Sequence, residues 1–585
     1  MVNTGPVHLW TQRRHYRDKD GVEKVYQSTL LRRSFREDGK VRNETVANLS
    51  ALPADAIEAL RLALAGKKLI EAGAGVRILR SVPHGHVAAV WSMAQQLGLT
   101  KLLGPASRMR DLALALIISR AISPKSKLST IASFDDVTLG PDLQVAGAST
   151  DEVYAALDYL FARQEVIEKA LAKKYLSPAV NRSRMALFDL SSSWMTGTCC
   201  PLAKRGYSRD GRKGLPQIEY ALLTDPAGCP VAVRVFEGNT ADPTAFTAAV
   251  TAVKDTFALQ NMVLVGDRGM ITTARITALK TVGGLGWVTA LRAPQIAVLA
   301  ADTGPLQMSL FDEQNFAEFR HPDYPGERLV GCRNPALAEL RTHKRSELLD
   351  ATQASLAPIM AAVTAGRLVG ADKIGLRVGR VLGRHKMAKH FHLNITNTTL
   401  TVTRNQSGID AEAALDGIYV LRTSVTTDDL PTAAVIQAYK NLANVEKGFL
   451  SLKAIDIDIR PVRHYTENRV RAHVFLCFLA AHLTWHLRKA LSELTYTDQN
   501  RPARTDPVAP AVRSDPAQHK TIRHTSDDGL PLHSYQGLLG HLATLTRNHV
   551  QYGADGPIVP TLAEPTPVQR RAFALLGAPI PTSIS

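Results

Sequence analysis

Three acidic residues stand far apart in the sequence, each in a setting that suits metal-assisted chemistry at phosphorus. Asp189 lies in the apolar run Met185-Ala-Leu-Phe-Asp-Leu190, and Asp267 closes Met262-Val-Leu-Val-Gly-Asp267 ahead of Arg268 and Gly269. Glu446 falls in Tyr439-Lys-Asn-Leu-Ala-Asn-Val-Glu-Lys447, which reads as a helix. A carboxylate among apolar neighbours is costly to desolvate unless something cationic pairs with it. Magnesium or manganese supplies that charge, and a pair of such ions can serve both the attacking and the leaving oxygen of a phosphodiester. Each acid also has a plainer reading. Asp189 could cap the turn at Ser191, Asp267 could pair with Arg268, and Glu446 could sit on the wet face of an ordinary amphipathic helix.

The spacing around Glu446 is the sharpest signal. Tyr439, Glu446 and Lys453 are seven apart, so a continuous helix would carry them on one face, with Leu442 in the same stripe. A hydroxyl, an acid and an ammonium so aligned suit a surface that holds metal through the acid and phosphate through the other two. Other motifs do not mature. His385, His390 and His392 lie among Lys386 and Lys389, which would repel a cation, and no cysteine is near. Ser191 to Ser193 lacks the G-x-S-x-G elbow, and there is no G-x-x-x-x-G-K-[ST] phosphate loop.

The elements that would carry the acids follow from periodicity. Residues 184–191, 218–224 and 230–236 read as strands, with a turn at Asp225-Pro-Ala-Gly228. Residues 242–257 read as a helix, 262–266 as a buried strand, 272–281 as a helix and 286–291 as a fifth strand. Three strands followed by alternating helix and strand predict an α/β fold with a mixed sheet, in the ribonuclease-H-like order. An acid leaving such a strand stands at the sheet's carboxyl edge, where ligands of α/β folds collect. Strands expected at 376–382, 391–396, 400–404 and 418–422, with a helix over 345–365, make a β-rich insertion before the Glu446 helix. Residues 469–487 predict a long apolar helix packed on the sheet.

The flanks differ in character. Residues 1–50 mix cations with Tyr16, Tyr26 and Phe35 around a hairpin turn at Asp38-Gly39, and predict a basic β-hairpin arm. Residues 51–178 are helical in pattern, with a capping box at Ser149-Thr-Asp-Glu152 and cations Arg120, Lys125 and Lys127 near a helix–helix connection. The expected division is 1–50 arm, 51–178 helical DNA-binding domain, 179–293 catalytic core, 294–430 insertion, 431–492 second part of the core, 493–520 flexible linker and 521–585 helical region, with a final helix over 534–549.

With 585 residues, 45% of them apolar, the chain predicts several globular domains. A formal charge of +17 favours an anionic polymer as partner, because each neutralised phosphate releases counterions. The five cysteines are sparse and form no C-x-x-C pair, which argues against a disulfide framework or a cysteine zinc site and fits a reducing cytoplasm. No signal peptide is expected, and the longest apolar stretch, 474–483, is too short to span a bilayer.

In these motifs the chain resembles the DDE transposases of bacterial insertion sequences, in the branch with a β-rich insertion before the Glu. That branch carries Tyr, two residues, Arg, three residues, Glu, six residues, Lys. Here those positions are Tyr439, Leu442, Glu446 and Lys453, so three match in register and Leu442 replaces the Arg. The Phe-Asp-Leu-Ser and Gly-Asp-Arg-Gly settings are similar to those of the family's first two acids, and Glu237-Gly-Asn-Thr-Ala-Asp242 to a loop before its second. The resemblance implies that Asp189, Asp267 and Glu446 hold two Mg2+ or Mn2+ ions. Tyr439, Lys453, Lys447, Arg268 and Arg460 are the implied DNA contacts, with Lys447, Lys440 or Arg460 compensating for the missing Arg. It also implies binding of terminal inverted repeats and target DNA, a homodimer that synapses two element ends, and a place on the bacterial nucleoid. Two rival expectations are a ribonuclease-H-like nuclease without strand transfer and a transposase-derived DNA-binding protein that no longer cuts.

Overall fold

The computed structural model describes residues 6–584 except 18, 20, 22, 38, 68–74, 178, 182–183, 198, 213, 241–249, 251–261, 302, 461 and 554. The chain divides into two units, Met1–Ser81 with Arg547–Ala563, and Val82–Thr546 with Glu564–Ser585. In the first, β1 (Val7–Arg17), β2 (Glu23–Glu37) and β3 (Lys40–Asn48) form an antiparallel sheet, one strand more than the expected hairpin. Asp38 of the expected turn lies outside the described residues. Gly39 is at φ +76°, the left-handed conformation that a tight turn requires. A second small sheet joins β4 (Val76–Pro83) to two strands near the C-terminus, β15 (Thr546–Tyr552) and β16 (Ile558–Leu562). The helix expected over 534–549 therefore ends at Ala543, and its second half is strand. Thr546 and Val550 are two of the β-branched side chains that a pleated surface favours.

The second unit is built on an eight-stranded sheet with β5 (Met185–Trp194), β6 (Gln217–Thr224), β7 (Pro230–Glu237), β8 (Met262–Val265) and β9 (Leu285–Ala290) at its centre and one side. Its order continues past β9 through strands that arise later in the chain: β10 (Phe316–Phe319), β11 (Arg328–Arg333) and, after a two-stranded ribbon of β12 (Phe391–Ile395) and β13 (Leu400–Arg404), β14 (Ile418–Thr423). The full order is β10-β11-β14-β9-β8-β5-β6-β7. β5, β8 and β9 run parallel and the other neighbours antiparallel, a mixed sheet in an α/β fold as expected. Parallel strands buried on both faces should be continuous apolar runs, and β8 (Met-Val-Leu-Val) is fully buried.

The insertion departs from expectation. Three of its strands extend the central sheet, and most of the remainder is helix, above all Pro335–Thr364 and Ala371–His385. The strand expected over 376–382 lies inside the second of these. Its buried residues Ile374, Val378 and Leu382 recur every four positions, a helical stripe that outweighs the local apolar–polar alternation. Residues 493–520 are not a free linker either. Val508 is buried, Asp506 accepts from the Asn315 amide at 2.8 Å, and Lys440 Nζ donates to the Val508 and Ala509 carbonyls. Composition reports weak intrinsic structure; it says nothing about hydrogen bonds offered by distant elements.

The helix Glu467–Ala490 is buried along most of its length, and Arg108–Ile122 and Thr150–Ala162 pack around it. The capping box at Ser149 and Glu152 forms as the sequence predicts. Lys127, an expected DNA-facing cation, is instead buried with Nζ 3.0 Å from His473 Nδ1. Burial lowers its pKa to about 7. The helix expected over 242–257 lies outside the described residues. Among the described residues no helix is long and apolar enough to cross a membrane.

Candidate active site

Strand pairing brings two of the three acids together. β5 and β8 are parallel neighbours, with Met185 opposite Val263 and Leu187 opposite Val265. Continued two residues further on each strand, this register sets Asp189 level with Asp267. Asp267 stands just beyond the end of β8, close enough to Asp189 on β5 for its charge to raise the Asp189 carboxyl. Asp267 opens a tight turn: its Oδ1 accepts from the Met270 amide at 2.6 Å, and its carbonyl accepts from the Met270 and Ile271 amides. Gly266 permits that turn, because a Cβ there would lie 2.9 Å from Ile271 Cγ1. Asp189 Oδ1 accepts from the Leu190 amide at 2.8 Å.

The third acid arrives on the helix Leu442–Leu450, which buries Leu442, Val445 and Phe449 and leaves Glu446 exposed. The Phe449 ring lies 5.9 Å from that of Tyr220 on β6. A Cβ on Gly448 would stand 3.6 Å from Leu222, the residue paired with Asp189 across β5 and β6. The helix therefore crosses the sheet beside Asp189. Its near end rests on the β6–β7 turn, where Gly228 (φ +90°) packs so closely on Asn444 that a Cβ would come within 2.8 Å of it, and Asn444 donates to the Pro226 carbonyl at 3.3 Å.

Asp267, Glu446, Tyr439, Arg268, Arg341 and Leu442 line one cavity of about 540 Å³. Asp189 joins them electrostatically. Its burial raises its carboxyl to about 7, and the charge of Asp267 adds to the rise; the Leu190 amide and Arg209 oppose it, and Glu446 adds further repulsion. Burial, then Asp267, raises the Tyr439 hydroxyl to about 12, so it is a neutral donor at physiological pH. The three carboxylates are not drawn into one tight cluster. Among the described residues, the set of three His, Cys, Asp or Glu whose ligating atoms all lie within 4.8 Å of one another is Cys229, His482 and His486.

The single helix expected to carry Tyr439, Leu442, Glu446 and Lys453 is broken. One helix ends at Lys440, the next runs Leu442–Leu450, and a π-helical turn follows at Ser451–Ile455. A wider turn shifts the phase of every later side chain. Tyr439, Leu442 and Glu446 still share the cavity, but Lys453 leaves the stripe and its Nζ pairs with Asp210 at 2.8 Å, where Arg460 also lies at 3.4 Å. Lys447 is exposed on a different cavity, with Asp456 and Lys489. Leu442 is buried where the Arg was expected, and Arg268 and Arg341 reach the same cavity. Sequence reasoning missed Arg341, which lies in the helix 335–364, and Arg209, whose only signal was the cationic loop Lys204-Arg-Gly-Tyr-Ser-Arg209.

Residues 193–483 match the transposase DDE domain family, and residues 15–73 match the N-terminal domain of IS1634 family transposases. The chain belongs to the insertion-sequence DDE transposases. The DDE match includes Asp267 and Glu446 and begins shortly after Asp189. Enzymes of this class use divalent metal ions. No curated protein matches this transposase. Among solved structures it is similar to a piggyBac transposase in a synaptic complex with hairpin DNA, at 8% identity over 69% of this chain and 72% of the other. The TM-score is 0.31, too low to bear on this transposase's site.

Proposed function

We propose that this transposase cuts and joins DNA at the edge of a ribonuclease-H-like sheet, with Asp189, Asp267 and Glu446 as its catalytic carboxylates. The observation that carries the reading is the parallel register that levels Asp189 with Asp267, beside the helix of Glu446. Three antiparallel strands followed by two parallel ones, β5 to β9, support the fold assignment. Oxygen donors of this kind fit Mg2+ or Mn2+, and a divalent cation would offset both the burial and the repulsion from Asp267 that raise Asp189. Bound there, two such ions would stabilise charge developing on the attacking and leaving oxygens of a phosphodiester.

The remaining residues position the substrate. Tyr439 donates a hydrogen bond into the cavity, and Arg268 and Arg341 supply cations beside the acids, in place of the family's Arg at Leu442. The cationic loop around Arg209, with Lys453 and Arg460 near Asp210, extends the positive surface toward flanking DNA, and Lys447 lies on the exposed side of the same helix. The substrates are the element's terminal inverted repeats and a target duplex, with a homodimer synapsing two ends. Incubation of the full-length protein with a labelled element end, target plasmid and Mn2+ should yield joined products bearing the labelled strand. Nicking without joined product would favour a purely hydrolytic nuclease.

The charge on Asp189 gives a test that needs no DNA. Its raised pKa means that stability present below the ordinary value of 3.8 is lost as pH rises through about 7. At pH 8 in chelator, Asp189→Asn should therefore melt above wild type, and Mg2+ should raise the wild-type midpoint by about 2–4 °C. In Asp189→Asn that gain should shrink. A wild-type midpoint indifferent to Mg2+ and Mn2+ would remove Asp189 from the metal-binding set.

A further inference from the structure

A second constellation of donors lies away from the carboxylates. His482 and His486 are one turn apart on the helix Glu467–Ala490, so they share a face. Cys229, which ends the β6–β7 turn, reaches both: its Sγ is 3.7 Å from His482 Nδ1 and 3.6 Å from His486 Nε2. Zinc–sulfur and zinc–nitrogen bonds of about 2.3 and 2.0–2.1 Å at a tetrahedral angle put sulfur and nitrogen roughly 3.5–3.6 Å apart, as Cys229 Sγ and His486 Nε2 stand, and one donor atom from each of Cys229, His482 and His486 lies within 4.8 Å of the others.

The surroundings carry the marks of a built site. His482 is 3% exposed; its Nδ1 lies 2.7 Å from the Pro230 carbonyl, while its Nε2 is buried with no hydrogen-bond partner among the described residues. The Pro230 carbonyl holds the proton on Nδ1, the nitrogen nearer Cys229, and so fixes the tautomer whose free lone pair for a metal is on Nε2. The Tyr175 hydroxyl stands 2.9 Å from His486 Nε2 and offers an oxygen for a fourth position. Burial lowers the pKa of His482 to about 4 and that of His486 to about 3, so both rings are neutral at physiological pH. Burial also raises the Cys229 thiol, which keeps its proton unless a cation displaces it.

We infer that Cys229, His482 and His486 form a structural zinc site, with the Tyr175 hydroxyl oxygen adjacent as a fourth donor. On binding, the Cys229 S–H proton is released to solvent and the sulfur and two imidazole nitrogens donate to the ion. Thiolate and imidazole donors select zinc over Mg2+, so this site is chemically distinct from the carboxylates. Its position gives it a purpose. Gly228, next to Cys229, is the residue on which Asn444 of the Glu446 helix rests, so the ion would brace the turn that supports that helix.

The test uses the full-length protein expressed with zinc and dialysed without chelator. Elemental analysis should find about one zinc per chain. Replacement by Co2+ should give the near-ultraviolet sulfur-to-cobalt charge-transfer band, lost in Cys229→Ser and weakened at least about tenfold in cobalt affinity in His486→Gln. Asp189→Asn should keep the band, which separates this site from the carboxylate reading. If either variant at the site fails to fold, the wild-type protein decides: retained zinc with the cobalt–sulfur band supports the site. Wild-type protein with neither overturns it, and so does zinc held equally by wild type, Cys229→Ser and His486→Gln.

Discussion

Asp267→Ala should leave the transposase able to bind element-end DNA while strand cleavage in Mg2+ falls by roughly 10³-fold or more. The carboxylate is exposed at the mouth of the cavity, and its structural debt is small. It caps the Met270 amide, and losing such a cap costs about 0.5–2 kcal/mol, which a large unit absorbs. A purely structural role would therefore lower the melting midpoint slightly and cleavage in proportion. A catalytic role separates the two readouts. Binding measured by mobility shift and cleavage measured on a labelled end would distinguish them, with Asp267→Asn as the closest isostere. Cleavage near the wild-type rate would sink the assignment of all three acids, because Asp189 and Glu446 are tied to the site through Asp267.

Glu327→Ala should destabilise the second unit by about 3–5 kcal/mol. Glu327 and Arg422 are both buried, and the carboxylate takes a paired contact from the guanidinium at 2.6 and 2.7 Å. Tyr324 covers the same guanidinium, 4.9 Å from its ring centroid. Removing the acid leaves the buried Arg422 cation without its carboxylate and takes the partner of Lys280 Nζ, 3.7 Å from Glu327, as well; that uncompensated charge is the main cost. Truncating both partners to apolar residues of similar volume should restore much of the loss, since a buried pair is weak evidence of net stabilisation. The pair holds β14 at Arg422, one residue from its end, and β14 leads into the helices of Tyr439 and Glu446. Urea midpoints of Glu327→Ala and of the double variant check both statements. Equal stability of Glu327→Ala and wild type would show that water reaches Arg422.

Much of the catalytic half was legible in the chain. β5 to β9 fall within a few residues of their expected bounds, because buried strands leave continuous apolar runs and their turns leave Asp, Pro and Gly. The acids stood out as candidates by their settings: Asp189 within an apolar run, Asp267 at the end of one, and Glu446 seven residues from Tyr439 and from Lys453. The errors share a cause. Residues 376–382 alternate like a strand but bury a helical stripe, and 493–520 have a linker's composition yet are pinned by Lys440 and Asn315. In both, long-range packing outweighed a local pattern.

The sequence by itself determined the α/β class, the succession of strands β5 to β9 along the chain and the cationic balance, and it nominated the three acids, since these depend on periodicity, composition and local motif. Only the tertiary structure decided which side chains meet. It levelled Asp189 with Asp267 through a strand register that no local window contains. It broke the Tyr439-to-Lys453 stripe with a π-turn, whose single extra step rotates Lys453 onto Asp210. It brought Arg341 to the cavity and set Cys229 against His482 and His486, more than 250 residues later in the chain. Proximity between distant residues is a property of how strands pair and helices cross, which no local stretch of sequence contains.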